Sequence, residues 1–531
     1  MAGRDALEVE RKYTVDQSTP APRLVELPGV ERTGKPVTHY LNALYFDTAD
    51  LVLAAHGITL RRRTGGLDAG WHLKLPAPKG ARTEVTEPLG AEDDGEGAPE
   101  VPQRLRGLVA VHVRGRELVP VARLRTRRLS FPLLDASGTV LAEATDDHVD
   151  AEALLPPPGD RNSTDPEAGA GRTQAWREWE LELVDGSEDL LEAADRLLAD
   201  AGVHPAELPS KLARALGPSY PSQPGQRRTP KRKGPAAVVL QDYLQRQADA
   251  LKAADPEVRR DAPDSVHQLR VSARRMRSAL ATYRPLVDAD AANHLRDELK
   301  WLAHEVGDAR DVEVMRERLV ELAEAEPDEL LMGDVVERIE QECASGYREA
   351  HATGLEALDS ERYFRLLDAL DAFVADPPLE RAGRKKAHKA VAKLVAKDLK
   401  RLQKAVRAAE DAEDAAESGD AEDSAVDEAL HEVRKKAKRL RYAAEAAGAV
   451  HGKRAAKTEK AAEEIQEVLG DLQDSVVSRD FLRELAVQAH AEGVNTFSLG
   501  RLHALEQETA VRARESFERQ WIAFRKDAKP L

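Results

Sequence analysis

Residues 7–13 read LEVERKY, and this stretch decides the fold of the N-terminal half of the chain. Glu8, Glu10 and Lys12 stand at every second position, so in a β-strand their side chains point to the same face. The same alternation of charged and apolar residues recurs, broken by Gly and Pro, as far as about residue 217. It predicts a domain of strands and hairpins.

The later segments carry alternating charges of their own, with acids grouped on the first and last strands and bases on the middle ones. The residues are Arg61, Arg63, His72, Lys74, Arg82, Glu84, Arg123, Arg125, Arg127, Glu143, Asp147, Glu178, Glu180 and Glu182. The charged face of a single strand usually lies in solvent. Closing all of these strands into a barrel would gather the charges inside, which is costly unless metals and a polyanionic ligand occupy the lumen.

A series of short motifs follows in order along this half of the chain: E-x-E-x-K at 8–12, YFDT at 45–48, LRRR at 60–63, HLKLP at 72–76, R-x-E at 82–84, ELEL at 180–183 and SK at 210–211. Together they resemble the CYTH family, the triphosphate tunnel metalloenzymes, which includes inorganic triphosphatases, thiamine triphosphatases and adenylyl cyclases. The resemblance covers nearly all of residues 5–217. It implies an eight-stranded antiparallel β tunnel or barrel with flanking helices.

The resemblance also implies roles for individual residues. The catalytic residues would be Glu8, Glu10 and Lys12, and the phosphate ligands would be Lys12, Arg61, Arg63, Lys74, Arg82, Arg125, Arg127 and Lys211. Mg²⁺ or Mn²⁺ would be held by Glu8, Glu10, Glu180 and Glu182 with Asp146 or Asp147. Alternation from Glu143 favours Asp147, but a bulge would bring Asp146 inward. These residue types suit phosphoryl transfer, which requires charge neutralisation and oxygen ligands for the metal.

The composition changes after residue 217. Residues 218–234 are rich in Pro, Gly, Ser and bases and are predicted to form a flexible linker between a first domain at 1–217 and a second at 235–531. The second part is rich in Ala, Leu, Glu, Lys and Arg with a helical period. With one cysteine, no apolar run near the roughly 18 residues of a membrane helix and no signal-peptide core, we expect a cytoplasmic protein.

The helical part contains a duplication. VHQLRVSARRMRSAL at 266–280 matches LHEVRKKAKRLRYAA at 430–444, and EVGDARD at 305–311 matches VLGDLQD at 468–474. An internal repeat of this kind indicates two copies of one structural unit. We expect the copies to span about 235–375 and 376–531.

In each copy one His and three bases recur at offsets of 0, 3, 7 and 10, which places them within about 80° of one another on a helix. They are His267, Arg270, Arg274 and Arg277 in the first copy and His431, Arg434, Lys438 and Arg441 in the second. A His beside several cations is a poor metal ligand, because no Cys or carboxylate shares its face. An anion relieves the repulsion, so these helices are predicted to bind one.

The duplicated H-x2-R-x3-[RK]-R-x-R motif, with its G-D-x2-D companions, resembles the CHAD family of conserved histidine α-helical domains. The resemblance covers about residues 235–525. It implies an all-α domain of two pseudo-symmetric helical bundles that binds inorganic polyphosphate through its basic faces.

A further basic feature lies between the two copies of the duplicated helix. Asp398 is the only acid within residues 386–407, and seven of the bases fall within about 80° on one helix face over a length on the order of 30 Å. This lysine stripe consists of Lys386, Lys389, Lys393, Lys397, Lys400, Lys404 and Arg407. We expect it to bind a long polyanion and to join the basic surface of the duplicated helices.

These features predict a tunnel that hydrolyses inorganic triphosphate or short polyphosphate, tethered to a helical domain that holds polyphosphate. One alternative is a non-catalytic polyphosphate-binding protein that targets polyphosphate granules. Another is a nucleoside or thiamine triphosphatase, or an adenylyl cyclase. Nucleic-acid binding is disfavoured, because the net charge is −16 and only 4% of residues are aromatic.

Overall fold

The computed structural model describes residues 5–77, 81–90, 99–155, 172–221, 228–418, 423–527 and 531. The chain forms two compact units, Met1–Gly225 and Gln226–Leu531. The first is a β-barrel with short helices, and the second consists of helices. The predicted α+β fold class is therefore confirmed.

Ten strands build the described part of the first unit. They are β1 (Asp5–Glu8), β2 (Glu10–Val15), β3 (Arg32–Thr33), β4 (Val37–Asp47), β5 (Thr59–Thr64), β6 (Gly70–Pro76), β7 (Arg82–Glu87), β8 (Val119–Leu134), β9 (Val140–Ala153) and β10 (Thr173–Leu183). Neighbours pair antiparallel in the order β1-β7-β6-β5-β4-β8-β9-β10-β2, and β3 lies beside β8.

The two ends of this order come from one extended segment. Only Val9 separates β1 from β2, so residues 5–15 pair with β7 on one side and with β10 on the other. The Val9 carbonyl also accepts a hydrogen bond of 3.0 Å from the Leu183 N–H. The sheet therefore curls round on itself as eight extended segments, which is the expected antiparallel tunnel.

Apolar side chains alternate with the charged ones and pack outside the barrel against helices. The helices are α1 (Val52–Ala55), α2 (Gln103–Val113), α3 (Glu188–Asp200) and α4 (Lys211–Leu216). Leu60, Leu73 and Val85 of the middle strands pack on α2. Leu181 and Ala144 pack on α3. This outer packing leaves the opposite, charged faces of the strands to line the lumen.

One end of the lumen is apolar. Inward positions of β4, β8, β9 and β10, among them Tyr45, Leu124, Val149 and Trp176, form one buried cluster with Leu212 and other residues of α4. Side chains commonly fill an eight-stranded barrel in this way. The charged side chains are therefore concentrated in the remainder of the lumen.

The second unit contains α5 (Ala237–Arg259), α6 (Ser265–Tyr283), α7 (Ala289–Glu305), α8 (Gly307–Glu324), α9 (Val335–Asp359), α10 (Glu361–Ala375), α11 (Ala387–Glu417), α12 (Asp423–His451), α13 (Lys453–Ala491) and α14 (Phe497–Asp527). The duplicated His–Arg motifs lie on α6 and α12. The G-D-x2-D motif begins α8 in the first copy but lies inside the continuous α13 in the second. Within the described ranges, no helix is both long enough and apolar enough to cross a membrane.

The two copies join by reciprocal backbone hydrogen bonds. The Ala237 N–H donates to the Gly383 carbonyl at 3.0 Å, and the Ala387 N–H donates to the Gly234 carbonyl at 2.8 Å. The start of α5 therefore contacts the segment before α11, and the start of α11 contacts the segment before α5. The part of the expected linker next to residue 234 consequently packs on the helical unit. At the other end, the Tyr220 hydroxyl donates to the Ala54 carbonyl of the barrel.

Candidate functional site

The lumen gathers charged side chains from most strands of the barrel. Those placed there by strand alternation are Glu8, Glu10, Lys12, Arg61, Arg63, His72, Lys74, Glu84, Arg128, Asp147, Glu178 and Glu180, and Lys211 enters from α4. Acids and bases are interleaved. The charges that would be costly to bury singly are thereby paired.

Three carboxylates form an acid cluster, which we define as Asp147, Glu178 and Glu180. One oxygen of each lies within 4.8 Å of the others, and all three side chains are buried. The register explains the grouping, because Asp147 pairs with Glu178 across β9 and β10 and Glu180 follows two residues later. Three convergent carboxylate oxygens are hard ligands of the kind that Mg²⁺ and Mn²⁺ bind.

Lys211 reaches the acid cluster from the first turn of α4. The Ser210 hydroxyl accepts a hydrogen bond of 3.1 Å from the Ala213 N–H and caps this helix. The Lys211 Nζ lies 2.6 Å from Glu178 Oε1, 2.6 Å from Glu180 Oε1 and 3.0 Å from Asp147 Oδ2. Burial opposes the charge of Lys211, but these carboxylates hold its pKa well above the usual value.

The E-x-E-x-K strand supplies a second set of pairs. Lys12 Nζ lies 2.5 Å from Glu10 Oε1 and 3.0 Å from Glu180 Oε1. Lys74 Nζ lies 2.5 Å from Glu8 Oε1. Glu8 Oε2 is buried and accepts no hydrogen bond from the described residues. An unpaired carboxylate oxygen of this kind offers a further metal ligand within the lumen.

Three arginines crowd the same lumen. Arg128 donates to Asp147 Oδ1 and Oδ2 at 2.8 and 2.6 Å and to Glu180 Oε2 at 2.7 Å. Burial and the charges of Arg61 and Arg128 lower the pKa of Arg63. Several guanidinium groups buried close together repel one another, and a bound anion would relieve this repulsion.

His72 connects this arginine group to Glu84. Its Nδ1 lies 3.0 Å from Glu84 Oε1, and its Nε2 lies 2.9 Å from the Asp68 carbonyl. Burial lowers the pKa of His72 to about 4, and the charges of Arg61 and Arg63 add to this shift. The imidazole is therefore neutral near pH 7.

Two predicted phosphate ligands do not lie in the lumen. Arg125 and Arg127 pair across the strands with Asp150 and His148, and their side chains are exposed on the outer face of the barrel. Arg128 lies inside instead. The prediction was displaced by one residue, because 127 and 128 are both arginine and alternation alone does not say which one faces inward.

The structure separates the two candidate aspartates. Asp147 is fully buried in the acid cluster, whereas Asp146 accepts hydrogen bonds of 2.8 and 2.7 Å from Arg177 on the other face of β9. No bulge intervenes between Asp147 and its partners on β8 and β10. Asp146 is therefore removed from the expected metal ligands.

Arg82 and Glu182 lie at the ends of their strands. Arg82 Nη2 donates to the Pro209 carbonyl at 2.9 Å, next to the start of α4. Glu182 is exposed to solvent but close to Glu8 and Glu10. Part of its side chain is nevertheless shielded from water by the barrel, and this partial burial together with repulsion from Glu8 raises the pKa of Glu182 to about 7. The sequence patterns did not assign Glu178 or Arg128 to the site, although the alternation at 178, 180 and 182 could have indicated Glu178.

The motif residues of α6 and α12 meet in what we call the basic seam. It comprises His267, Arg270, Arg274, Arg277, His431, Arg434, Lys438 and Arg441. Arg274 Nε donates to the Tyr442 hydroxyl at 3.2 Å, so the first copy contacts the second. The charges of Arg434, Arg274 and Arg270 all act on Lys438. The duplication therefore places bases of both copies together.

The G-D-x2-D motif holds one arginine of each copy. Arg270 donates to the Gly307 carbonyl at 3.0 Å and to both oxygens of Asp311 at 2.6 and 3.1 Å. A Cβ at Gly307 would lie 3.6 Å from Arg270 Cζ, so the guanidinium lies directly on the helix backbone. The motif thus has a structural explanation that spacing alone did not provide.

The second copy repeats this arrangement more loosely. A Cβ at Gly470 would lie 3.4 Å from Arg434 Nη2, and that atom is 3.8 Å from Asp474 Oδ1. His431 Nδ1 lies 2.5 Å from Gln473 Oε1. Arg441 Nη2 lies 2.5 Å from Glu463 Oε1. Arg434 is thus less firmly paired than Arg270.

The positive charge of Lys438 is disfavoured by its surroundings in the basic seam. Burial and the charges of Arg434 and Arg274 lower its pKa to about 7. Burial also lowers the pKa values of His267 and His431, so both imidazoles are neutral near pH 7. In the described part of the chain, no carboxylate comes within ion-pair distance of Lys438. This is the arrangement expected of an anion-binding site.

The lysine stripe does not join the basic seam. Its side chains are exposed along α11, and the opposite side of that helix is buried against its neighbours. The buried Asp398 accepts from Thr282 of α6 and lies 3.1 Å from Arg439 of α12. The expectation that the stripe continues the seam is therefore wrong. The side of α11 that packs on α6 and α12 is opposite to the side that carries the stripe.

Comparison with known proteins agrees with this geometry. Residues 6–215 match the CYTH domain model, and residues 242–483 match the CHAD domain model. The chain therefore belongs to the proteins in which a CYTH domain is followed by a CHAD domain. CYTH domains are metal-dependent and form a triphosphatase and cyclase family of tunnel type.

One relative extends over nearly the whole chain. "Uncharacterized protein MT2285" of Mycobacterium tuberculosis is 41% identical over 520 residues, which are 96% of this chain and 95% of that protein. Among solved structures, PptA from Streptomyces chartreusis has a TM-score of 0.44 and 22% identity, covering 54% of this chain and 99% of its own. The CHAD domain from the plant Ricinus communis has a TM-score of 0.40 and 24% identity, covering 55% of this chain and 95% of its own.

Proposed function

We propose that the lumen of the barrel hydrolyses inorganic triphosphate, or the ends of short polyphosphate chains, with the help of Mg²⁺ or Mn²⁺. The observation that carries this proposal is the buried acid cluster beside a group of lysines and arginines. Phosphoryl transfer depends mainly on positioning and on neutralising the phosphate charge, and the lumen has side chains for both.

The bases of the lumen have a common role in this proposal. They exchange carboxylate partners for phosphate oxygens when the substrate enters, and they hold its terminal phosphoryl group near the acid cluster. These bases are Lys12, Arg61, Arg63, Lys74, Arg128 and Lys211. A divalent ion bound by Asp147, Glu178 and Glu180, with Glu8 and Glu10 nearby, would supply Lewis-acid charge neutralisation.

The apolar end of the lumen supports action on chain ends. Tyr45, Leu124 and Trp176 pack there with Leu212 of α4. A highly charged chain gains nothing from entering such a region, since its phosphates would lose water without compensation. The substrate would therefore enter from the charged end and present its terminus.

We further propose that the basic seam binds inorganic polyphosphate. Support comes from the cations that the duplication brings together from α6 and α12, and from the low pKa of Lys438, which an anion would raise. Binding at the seam would keep long chains near the barrel and raise their effective concentration at the lumen.

A second function also has an observation in its favour. Lys12, Lys74, Arg128 and Lys211 are each already paired with a carboxylate. A lumen of this kind could recognise phosphate termini without cleaving them, and the protein would then be a polyphosphate-binding module.

A product assay with the purified full chain separates these functions. Inorganic triphosphate, ATP, thiamine triphosphate and long polyphosphate are each incubated with Mg²⁺, Mn²⁺ or EDTA, and released phosphate and cyclic AMP are measured. We expect metal-dependent phosphate release that is fastest from inorganic triphosphate. Binding of triphosphate without hydrolysis of any substrate would support the binding module, and cyclic AMP from ATP would indicate a cyclase.

A further inference from the structure

The outer side of α11 presents a basic surface that is separate from the basic seam. The buried residues of α11 fall within an arc of about 120° at 100° per residue. They are Ala387, Val391, Val395, Asp398, Leu399, Leu402, Val406 and Ala409. All seven residues of the lysine stripe are exposed. They are centred about 180° from the buried arc. The stripe therefore faces solvent on the side away from α6 and α12.

The stripe is not neutralised by the protein itself. Within the described ranges, none of its seven cations forms an ion pair. Asp398, the acid among them in sequence, is buried and paired with Arg439 and Arg401. By contrast, the exposed Lys435 and the half-buried Lys436 of α12 both pair with Glu432 at 2.8 Å. An ordinary solvated helix face shows pairs of the latter kind.

The corresponding helix of the first copy lacks this surface. The bases of α5 are Arg246, Lys252 and Arg259. Each has an acidic partner, which is Asp242, Asp371 or Asp255 respectively. The stripe is consequently not a feature that both copies share. It is therefore not explained as something that a helix at this position requires for stability.

The shape and chemistry of the stripe select the kind of ligand. It is straight, one residue wide and on the order of 30 Å long. Six of its seven bases are lysines, which contact phosphate as point charges and do not form the bidentate or stacking contacts of arginine. α11 contains no Phe, Tyr or Trp on which a base could stack. These properties fit a linear phosphate chain better than a nucleic acid.

We propose that the lysine stripe is a second binding surface for inorganic polyphosphate, so that one molecule can hold two phosphate chains at once. This inference rests on the proposed binding of polyphosphate at the basic seam. Two separated surfaces on one domain would allow the protein to bridge chains. A protein with this property is retained in a polyphosphate-rich phase by multivalent contacts.

A two-chain capture assay with the full-length protein tests the proposal. Long polyphosphate is attached to beads, the protein is loaded and washed, and fluorescent long polyphosphate is added. The stripe variant replaces Lys389, Lys393, Lys397 and Lys400 by Gln, all at exposed positions. The control variant replaces Arg512, Arg519, Arg525 and Lys526 of α14 by Gln, which removes the same charge at exposed positions.

We expect wild type and the control variant to capture the fluorescent chain, and the stripe variant to stay on the beads but to capture about tenfold less of it. Equal capture by the stripe and control variants would overturn the inference. Capture of fluorescent duplex DNA in preference to polyphosphate at equal phosphate concentration would also overturn it. If wild type is not retained by the beads, polyphosphate binding by the seam fails as well. Retention without capture of a second chain contradicts only the two-surface inference.

Discussion

The Nζ atom of Lys211 lies 2.6 Å from Oε1 of Glu180 inside the barrel, although the two residues are 31 positions apart in the sequence. The same ammonium contacts Glu178 and Asp147, so one lysine from α4 contacts all three carboxylates of the acid cluster and offsets part of their charge. A divalent cation bound by these carboxylates would share them with Lys211. Helix α4 thereby links the charge of the lumen to the stability of the barrel.

Replacing Lys211 by Met should make the barrel depend on metal. Without the ammonium three buried carboxylates repel one another, and removing one partner of a buried pair costs about 3 kcal/mol or more. Thermal unfolding of this variant should therefore occur at a lower temperature in EDTA, and Mg²⁺ should raise it by more than it raises that of wild type. An equal Mg²⁺ shift in the two proteins would mean that the acid cluster does not bind the metal.

Neighbouring aspartates offer a matched pair of variants. Asp147→Asn should lower metal-dependent triphosphate hydrolysis by about 10²-fold or more, because it removes a charge that lies in the lumen. Asp146→Asn should change turnover by only a few-fold, since its partner Arg177 is on the outer face. Steady-state phosphate release by both variants checks this. Similar losses in the two would show that β9 does not orient these residues as described.

The strand pattern predicted that charged side chains line the lumen, but it did not predict every residue that lies there. The alternation in E-x-E-x-K correctly placed Glu8, Glu10 and Lys12 on the same face, because side chains of a strand alternate between its two faces with a period of two. It could not choose between Arg127 and Arg128. A register error of one residue moves every side chain to the other face, and only the pairing of Arg128 with Asp147 resolves it.

Contacts between distant segments were the other unpredicted feature. The duplication indicated which bases of α6 and α12 belong together, but it did not indicate that Gly307 and Gly470 each underlie an arginine. The direction of the lysine stripe was also misjudged, because helical period shows which residues share a face and not what packs against the opposite one. Both features depend on tertiary packing.

The two adjacent arginines provide a test of the register. Arg128→Gln should lower kcat/KM for inorganic triphosphate by about tenfold or more, because it removes a charged hydrogen-bonding group from the lumen. Arg127→Gln should leave kcat/KM close to that of wild type, since Arg127 is exposed on the outer face. Initial rates over a range of triphosphate concentrations decide the matter. A larger loss for Arg127→Gln would reverse the assignment.

Binding of long polyphosphate should weaken as pH rises through neutrality. The pKa of Lys438 is about 7, so this side chain is charged below that pH and neutral above it. A polyanion binds the charged form, and its affinity should fall by up to about tenfold per pH unit above pH 7. In Lys438→Arg, which stays charged, the affinity should change little between about pH 6 and pH 9.

Titrations of wild type and Lys438→Arg at constant ionic strength measure this pH dependence. Constant salt is required, because counterion release also changes the affinity. The same slope in both proteins would assign the proton uptake to another group and would remove Lys438 from the binding site.

The most direct test of the account is triphosphate hydrolysis by Glu180→Gln, a substitution that keeps the shape of the side chain and removes its charge. Wild type should release phosphate from inorganic triphosphate only with Mg²⁺ or Mn²⁺. The variant should be slower by about 10³-fold, because both the metal and the charge arrangement in the lumen depend on this carboxylate. The variant should retain polyphosphate, since its helical domain is unchanged. Hydrolysis by the variant at the wild-type rate would contradict the claim that the lumen is the catalytic site.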